Sequence, residues 1–447
     1  MKRDIEVTLE TWKKEEHRYP LLVRGARQVG KSYSVIKFGE NEFDNLVEVN
    51  FEQKPQYKAC FETLEPKKII ESLSILSKSD IIPGKTLLFL DEIQECPNAI
   101  SALRYFYEQM PGLHVIGAGS LLEFVISQED FRMPVGRIQY VYMKPLSFLE
   151  FLDAVGESRA RKTIETLTWD NLPSLPVHQH LTSLVKKYSI VGGMPAVVSE
   201  YASNANLDKC LQIQSIIIQT YRDDFGKYAN KVKHKYLQKI FFAVPKMIGK
   251  KFKYSHVDSS IQSRDLKEAL ELLEKAGVIC RIKQTSGEGL SLEANAKERH
   301  FKTIFLDIGL MQNMCGLSSD MIISAADNFI KINEGAVAEQ FTAQELLAYR
   351  DHFQAPSLFY WAREARNSSA EIDYIIPCCS SALPVEVKAG KTGTLRSMHI
   401  YLEKYRLPAG IRISQLFFNN TLPIVSFPFY AIKKISQLVN AVIKLKN

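Results

Sequence analysis

The 447-residue sequence lacks the features that mark membrane, secreted and repeat-containing proteins. No apolar run approaches the roughly 20 residues that a helix needs to span a bilayer. The charged residues at the N-terminus are not followed by the apolar core of a secretion signal. We also find no internal repeat and no low-complexity linker. These absences favour a globular protein without a membrane partner.

Cysteine is present but lacks the spacing of a disulfide framework or a zinc site. The seven cysteines are scattered, odd in number and without paired C-x-x-C spacing, which favours a reducing, cytoplasmic location. The net charge of +7 is a mild basic excess that weakly suggests a polyanionic partner. A chain of this length is expected to divide into about two to four domains.

One stretch near the N-terminus has the spacing of a phosphate-binding loop, G-x-x-x-x-G-K-[ST]. Its glycines let backbone N–H groups surround phosphate oxygens, and its lysine adds a positive charge at the β- and γ-phosphates. The final serine is the expected Mg²⁺ ligand. The predicted nucleotide-binding residues are Gly25, Ala26, Arg27, Gln28, Val29, Gly30, Lys31 and Ser32.

Both flanks have the pattern that such a loop requires, because it works between a buried strand and the N-terminal end of a helix. Residues 19–23 form an apolar run of strand type, and residues 32–38 carry apolar residues at helical spacing. A second strand-like run, residues 86–90, ends in two acids. Asp91 is the expected Mg²⁺ ligand, and Glu92 is expected to orient the attacking water.

Strands alternating with helices in the first 150 residues indicate a parallel sheet, whose ligands lie at the carboxyl ends of the strands. Ser120 ends a predicted strand and is therefore expected beside the γ-phosphate. Arg132 and Arg137 follow closely. An arginine from the same chain or from a neighbouring subunit neutralises charge that develops at the γ-phosphate. Arg137 is the candidate, and a plain surface position is an equal alternative.

Four segments of the chain together resemble the AAA-type ATPases of the AAA_14 family. The resemblance implies an AAA+ core that binds and hydrolyses ATP with Mg²⁺, and it extends over nearly the whole chain. It also implies a C-terminal domain similar to the restriction-endonuclease fold, and it leaves a homo-oligomer or another protein partner open. The segments are GARQVGKS (25–32), LLFLDEIQ (87–94), GAGSLLEF (117–124) and VGRIQYVYMKPLSFLEFL (135–152).

The middle of the chain looks mostly helical up to about residue 230, which is consistent with the lid of an AAA core. A Gly-Gly-Met-Pro segment, residues 192–195, interrupts it, and its sequence assigns it no role. Residues 227–253 contain nine lysines, no acid and several aromatic residues. Because lysines neutralise phosphates and aromatic rings stack on bases, this stretch predicts a nucleic-acid contact. The alternative is a solvated helix with its aromatic residues in the core.

A helix predicted at 263–276, followed by a hairpin turning at 286–289, has the outline of a winged helix. Such a module binds DNA or packs against another domain. Packing is a serious alternative here, since a winged helix often follows an AAA lid. Sequence-specific DNA binding would require exposed basic side chains on that helix, and Arg264, Lys267 and Lys275 are few for that purpose.

The C-terminal region has the pattern of PD-(D/E)xK nucleases, an acid in one strand followed by E-x-K in the next. Glu386 and Lys388 share one face of a strand, because side chains alternate along it. Asp373 and Glu386 would hold Mg²⁺, Lys388 would orient or activate the attacking water, and Glu339 would complete the site. The same fold also serves for binding alone, so a silent domain is the alternative.

We therefore predict an α/β protein in four parts. The first hypothesis for its function is an ATP-hydrolysing AAA+ enzyme that acts on nucleic acid through a nuclease-like domain. The second is a nucleotide-controlled switch or scaffold that binds a protein partner and has a silent C-terminal domain. The parts are a P-loop AAA+ core with a parallel sheet (1–150), a helical lid (151–230), a winged-helix-like domain (231–325) and a restriction-endonuclease-like α/β domain (326–447).

Overall fold

The computed structural model describes seven stretches of the chain, which together contain two β-sheets and the helices around them. These stretches are residues 1–120, 136–228, 231–289, 291–318, 334–363, 370–390 and 395–444. Within them, no helix is both long enough and apolar enough to cross a bilayer.

The first sheet is parallel throughout, with strand order β2-β3-β4-β1-β5. Its interior strand β3 is buried at all six positions, as expected for a strand covered by helices on both faces. All carboxyl ends of the strands therefore meet at one edge, which is also where the predicted phosphate loop lies. The strands are β1 Leu21–Arg24, β2 Asn45–Asn50, β3 Thr86–Asp91, β4 His114–Ala118 and β5 Gln139–Tyr142, and the helices are α1 Ile5–Lys14, α2 Lys31–Glu42, α3 Pro66–Ser77 and α4 Pro97–Gln109.

Helices dominate the next part of the chain, as predicted up to about residue 230, and a further helix follows to Met247. The first of them begins with a capping box, in which Ser147 accepts from the Glu150 N–H and Glu150 accepts from the Ser147 N–H. The helices are α5 Phe148–Ala154, α6 Ser158–Glu165, α7 Leu175–Val191, α8 Pro195–Asn204, α9 Leu207–Tyr228 and α10 Lys231–Met247.

The second sheet has seven strands in the order β12-β11-β10-β9-β8-β6-β7. Strands β10, β11 and β12 run parallel, whereas β8, β9 and β10 are antiparallel neighbours. The strands are β6 Ile279–Thr285, β7 Ala296–Phe305, β8 Leu358–Ala362, β9 Glu371–Cys378, β10 Ser381–Lys388, β11 Gly410–Ser414 and β12 Ile424–Pro428, and the helices are α11 Ser263–Lys275, α12 Ile308–Met314, α13 Glu334–Ala348, α14 Arg396–Tyr405 and α15 Ile435–Lys444.

The predicted winged helix is not confirmed as a separate module. Helix α11 and the hairpin of β6 and β7 are present, but β6 pairs in parallel with β8, so the hairpin forms one edge of the seven-stranded sheet. The predicted turn at 286–289 only begins the connection, because β7 starts at Ala296. Leu416, Phe417 and Phe418 form an apolar run of strand type, but they lie outside any strand, because β11 ends at Ser414. The predicted boundary at 325 divides one sheet, and the domain limits stay predictions.

Candidate nucleotide-binding site

The phosphate loop, residues 25–32, joins the end of β1 to the start of α2. Gly25 and Gly30 have φ angles of +150° and +95°, in the region that favours glycine. A Cβ atom on Gly25 would lie 2.2 Å from the Met143 carbonyl oxygen. The positive φ and the nearby Met143 carbonyl oxygen therefore both require glycine at position 25.

Lys31 folds back into this loop. Its side chain is 7% exposed, and its Nζ donates to the carbonyl oxygens of Gly25 at 3.0 Å and Ala26 at 2.9 Å. Burial lowers the pKa of Lys31 to about 8, although the nearby carboxylates of Glu92 and Asp91 oppose this effect. The amine thus lies where phosphate oxygens would replace the two carbonyl groups.

Asp91 is held by one hydrogen bond to each of its carboxylate oxygens. Ser32 Oγ donates to Oδ1 at 2.9 Å, and Asn50 Nδ2 donates to Oδ2 at 3.2 Å. Burial raises the pKa of Asp91, and the Ser32 hydrogen bond opposes that rise. Asn50 was missed by the sequence analysis. In the sequence, Asn50 is marked only as a polar residue at the end of a strand. The pairing of β2 with β3 then places Asn50 opposite Asp91.

Glu92 follows Asp91 at the same edge and has a φ of +48°, which is unusual for a residue with a side chain. Gln94 Nε2 donates to Glu92 Oε2 at 2.8 Å. The other amide atom, Gln94 Oε1, is buried without a hydrogen bond in the described residues and would lie 2.0 Å from a Cβ on Gly119. Ser120, which is 9% exposed, comes next to Gly119 at the end of β4. Glu92, Gln94 and Ser120 thus share the edge with the phosphate loop.

Arg137 does not reach this chain's phosphate loop. It precedes β5, whose first residue pairs with Leu21 at the start of β1, so Arg137 lies at the opposite edge of the sheet. There its Nε donates to Glu108 at 3.1 Å, and its side chain is 44% exposed. The predicted role within the same chain is therefore wrong, while action on a neighbouring subunit stays a prediction. Arg132 lies outside the described residues.

An arginine near the N-terminus supports the phosphate loop instead. Arg3 is buried, and its guanidinium donates to the carbonyl oxygens of Val29 at 2.9 Å and Lys144 at 2.7 Å. Its Nε pairs with Glu150 at 2.8 Å. Five N–H donors on a rigid plane suit Arg3 to join three segments that are distant in the sequence.

The C-terminal half of the chain also contacts the phosphate loop. On α9, Asp224 pairs with Arg27 at 2.9 Å and the Tyr221 hydroxyl donates to the Arg27 carbonyl at 2.5 Å. Gly277, between α11 and β6, approaches Ala26 so closely that a Cβ there would lie 3.2 Å from its nitrogen. A cavity of about 370 Å³ lies between the two halves, with Gly25, Ala26, Ser120, Gly277 and Leu347 in its wall.

The Gly-Gly-Met-Pro segment has a structural role that the sequence did not reveal. The fully buried carboxylate of Asp307 accepts from the Gly193 N–H at 2.6 Å, and a Cβ on Gly192 would lie 2.2 Å from Asp307 Oδ1. At the other end of the segment, Pro195 Cγ would lie 3.5 Å from a Cβ on Gly30. The segment therefore links a buried acid of the C-terminal half to the phosphate loop.

The predicted C-terminal site residues lie on neighbouring elements: Glu339 on α13, Asp373 on β9, and Glu386 with Lys388 on β10. Lys388 Nζ is 2.7 Å from Glu386 Oε1, and Asp373 Oδ2 accepts from the Val387 N–H at 2.9 Å. Burial, and then the charge of Asp373, raises the pKa of both Glu339 and Glu386 to about 7.

Lys302, which the sequence analysis did not select, enters this same cluster from β7 and is 1% exposed. Burial alone would lower its pKa, but Glu339, Asp373 and Glu371 together raise it above its ordinary value. In the described stretches, no group of three Asp, Glu, His or Cys side chains is arranged to hold a metal ion. Nuclease activity at this site stays a prediction.

The basic stretch at 227–253 is only partly a surface. Phe241 and Phe252 are buried in the core, whereas Phe242 is 40% exposed with the Arg222 guanidinium 5.3 Å from its ring centre. Lys239 is 2.5 Å from Asp258. Two of the interleaved aromatic residues are therefore core residues, as the alternative interpretation expected, and Tyr236 and Tyr254 are partly buried against the core.

Three family matches divide most of the chain between them. Residues 17–152 match an AAA domain family, residues 182–321 match the domain of unknown function DUF8612, and residues 334–424 match the domain of unknown function DUF4143. The expected restriction-endonuclease resemblance is not confirmed by these matches. A comparison with curated proteins gives no match.

Several solved structures are similar at low identity. A Walker-type ATPase of Pyrococcus abyssi is 16% identical, with 70% of this chain and 95% of that chain covered and a TM-score of 0.46. The ORC2 protein of Aeropyrum pernix is 11% identical, with 75% and 95% covered and a TM-score of 0.35. The RuvB Holliday junction branch migration motor of Thermotoga maritima is 16% identical, with 62% and 87% covered and a TM-score of 0.30. Scores below 0.5 do not establish a shared arrangement of the whole chain.

The family match at residues 17–152 and the geometry of the phosphate loop agree with each other. A parallel sheet carries Lys31, Ser32 and Asp91 to one edge, as a phosphate loop and its metal-binding acid require. The chain therefore contains a P-loop ATPase domain of the AAA type.

Proposed function

We propose that the protein binds and hydrolyses Mg²⁺·ATP at the phosphate loop and passes its nucleotide state to the C-terminal half. The observation that carries the proposal is the Ser32–Asp91 hydrogen bond beside the folded-back Lys31. A hydroxyl and a carboxylate are the oxygen donors that Mg²⁺ prefers, so these two side chains fit the ion. When bound, Mg²⁺ neutralises charge on the phosphate oxygens.

The protein's own residues supply the remaining steps. Lys31 exchanges its two carbonyl partners for phosphate oxygens, and the backbone N–H groups of the loop bind the β-phosphate. Glu92 orients the attacking water and accepts its proton, while Gln94 fixes the Glu92 carboxylate by its 2.8 Å hydrogen bond. Ser120 follows the end of β4, from where its hydroxyl would contact the γ-phosphate.

The contacts on the loop support the switch part of the proposal. Arg27 is inside the loop and pairs with Asp224 of α9, so nucleotide entry and the position of α9 depend on each other. Gly277 against Ala26 extends the same contact to β6 and its sheet. A ligand that binds one arrangement of these contacts more tightly shifts the protein toward that arrangement.

Lys31→Ala is the test of the nucleotide site. Loss of the amine removes the positive charge at the phosphates. We therefore expect ATP binding, measured by calorimetry, and ATP hydrolysis, measured by phosphate release, both to fall below detection. Lys37→Ala is the matched control, because Lys37 lies on the same helix, outside the phosphate loop, and pairs with Glu6 at 3.4 Å. Unchanged turnover in Lys31→Ala would refute the assignment.

A second candidate function is nucleic-acid binding at an open groove along α10. The groove has a volume of about 530 Å³ and includes the exposed Lys235, Lys246 and Phe242 together with His256. Lysines beside an exposed aromatic ring suit the phosphates and bases of a single strand. These residues favour binding of a nucleic acid at the groove and give no support for its cleavage there.

Fluorescence anisotropy with a labelled single-stranded oligonucleotide tests this candidate. Lys235→Ala/Lys246→Ala should weaken binding at least about tenfold and flatten its salt dependence. The control is Lys67→Ala/Lys85→Ala, two exposed lysines of the ATPase domain whose loss changes the net charge equally. Equal weakening in both double variants would show that only net charge matters and would remove the groove from consideration.

A further inference from the structure

The cluster of acids in the C-terminal half already contains a buried cation. Lys302 Nζ is 2.7 Å from Glu371 Oε1 and 3.5 Å from both Glu339 Oε2 and Asp373 Oδ1. Its side chain is 1% exposed. Three carboxylates from α13 and β9 thus converge on one ammonium group, which arrives from β7 at the edge of the sheet.

The surroundings hold Lys302 in this position. Its Nζ lies 5.6 Å from the ring centre of the fully buried Tyr360, on the strand between β6 and β9. The Tyr374 hydroxyl donates to the Glu339 carbonyl at 2.9 Å and so ties the helix to β9. Packing near an aromatic ring and pairing with carboxylates hold the ammonium group in place, and the Lys302 side chain is 1% exposed.

Most of the carboxylate oxygens that a metal would need are already engaged; among the described residues, Glu386 Oε2 is buried without a hydrogen bond. Asp373 contacts Lys302 with Oδ1 and accepts from the Val387 N–H with Oδ2, at 2.9 Å. Glu386 contacts Lys388 at 2.7 Å. A divalent ion requires several free oxygens around one point, and here that point adjoins a fixed positive charge that repels it.

We propose that the Lys302 ammonium is the resident cation of this carboxylate cluster, so that the site holds no divalent metal and the C-terminal domain is not a metal-dependent nuclease. The acids predicted as metal ligands then act as counterions that fasten α13 to the sheet. The inference is independent of ATP binding. It deepens the proposed function, because it leaves the C-terminal half to respond to nucleotide without cutting nucleic acid.

A titration of the nucleotide-free full chain with Mn²⁺ tests the proposal. The electron paramagnetic resonance signal of free Mn²⁺ reports how much of the ion is not bound. The native chain and the Asp373→Asn single variant should take up the same amount of Mn²⁺. Lys302→Met removes the charge and keeps the length of the side chain, and it should gain one Mn²⁺ per chain. That gain should be lost in Lys302→Met/Asp373→Asn.

Lys251→Met is the matched control. Lys251 lies 3.5 Å from the same Glu371 but is 50% exposed, so its loss should create no Mn²⁺ site. Lys302→Met should also melt at a lower temperature than the native chain and recover with Mn²⁺, because buried carboxylates without a cation are unfavourable.

Three results would overturn the proposal. The first is Mn²⁺ uptake by the native chain that Asp373→Asn abolishes, and the second is plasmid cleavage by the native chain that Lys388→Ala abolishes. The third is a folded Lys302→Met that takes up no additional Mn²⁺. If Lys302→Met does not fold, the native and Asp373→Asn titrations decide the question by themselves, since only a metal-free site makes them equal.

Discussion

The lowered pKa of Lys31 predicts that ATP binding weakens as the pH rises through about 8. In the free protein, burial holds the pKa of this amine at about 8. Phosphate oxygens stabilise the ammonium form, so nucleotide binding raises that pKa again. Binding above pH 8 therefore takes up a proton, and the affinity must fall as protons become scarce.

The magnitude follows from the fraction of Lys31 that is charged before binding. With a pKa of about 8, that fraction is about 0.9 at pH 7 and about 0.1 at pH 9. The affinity for ATP should therefore be about tenfold lower at pH 9, which is about 1.4 kcal/mol of binding free energy. Phosphate monoesters titrate near pH 6, so the nucleotide adds little to the change between pH 8 and pH 9.

Calorimetry in two buffers with different ionisation enthalpies measures both quantities. We expect about 0.9 proton taken up per ATP at pH 9 and about 0.1 at pH 7. Lys31→Arg is the control, because a guanidinium stays charged over this range and its binding should not vary with pH in this way. A constant affinity from pH 7 to pH 9 in the native protein would show that the amine is fully charged in the free loop.

Three further changes test other parts of the site. Glu92→Gln should leave the ATP dissociation constant within about threefold but lower kcat at least about a hundredfold, as measured by phosphate release; equal kcat would remove Glu92 from the reaction. Asn50→Ala removes a hydrogen bond to a charged group, so affinity for Mg²⁺·ATP should fall about tenfold while metal-free ADP binding stays unchanged; an equal fall for both would mean that Asp91 is not the metal ligand. Asp307→Ala leaves two buried backbone N–H groups, those of Gly193 and Leu310, without their acceptor, and it should lower the free energy of unfolding in urea by about 2–6 kcal/mol. The exposed Asp170→Ala should change that free energy by less than about 0.5 kcal/mol.

The phosphate loop was predictable because its chemistry is local. Eight consecutive residues between a strand and a helix contain the glycines, the lysine and the serine, and no distant segment is needed to recognise them. The acids Asp91 and Glu92 were predictable for a similar reason, since a buried apolar run ends just before them. Most strands of both sheets also followed from alternation and apolar runs, with ends shifted by a few residues.

Residues that depend on the arrangement of strands were not predictable. Asn50 meets Asp91 only because β2 is the neighbour of β3 in the sheet. Arg137 is close to Ser120 in sequence, yet β5 runs parallel to β1 and therefore starts at the far edge. Lys302 enters the acid cluster because the β6–β7 hairpin joins the second sheet, a pairing that no local pattern of residues encodes.

Charge and hydrophobicity also gave an incomplete account of residues 227–253. A stretch without acids indicated an exposed surface that binds a polyanion, but Phe241 and Phe252 are core residues. Lys239 has its acid, Asp258, beyond the end of the stretch. The distribution of charge along a sequence thus could not tell which of these rings remain available, and the nucleic-acid contact stays a prediction.

The buried carboxylate of Glu345 limits how the ATPase domain can be exchanged between proteins. It lies on α13, far along the chain, and accepts from the Phe148 N–H at 3.0 Å and 3.1 Å. The AAA family match ends at residue 152, so this contact crosses the limit of the family. A chimaera that replaced residues 17–152 by a related domain would have to keep the backbone at Phe148 in register with a glutamate of another module. The family boundary is therefore a poor place to cut, and recombination that preserved folding would have to carry α13 along with the nucleotide site.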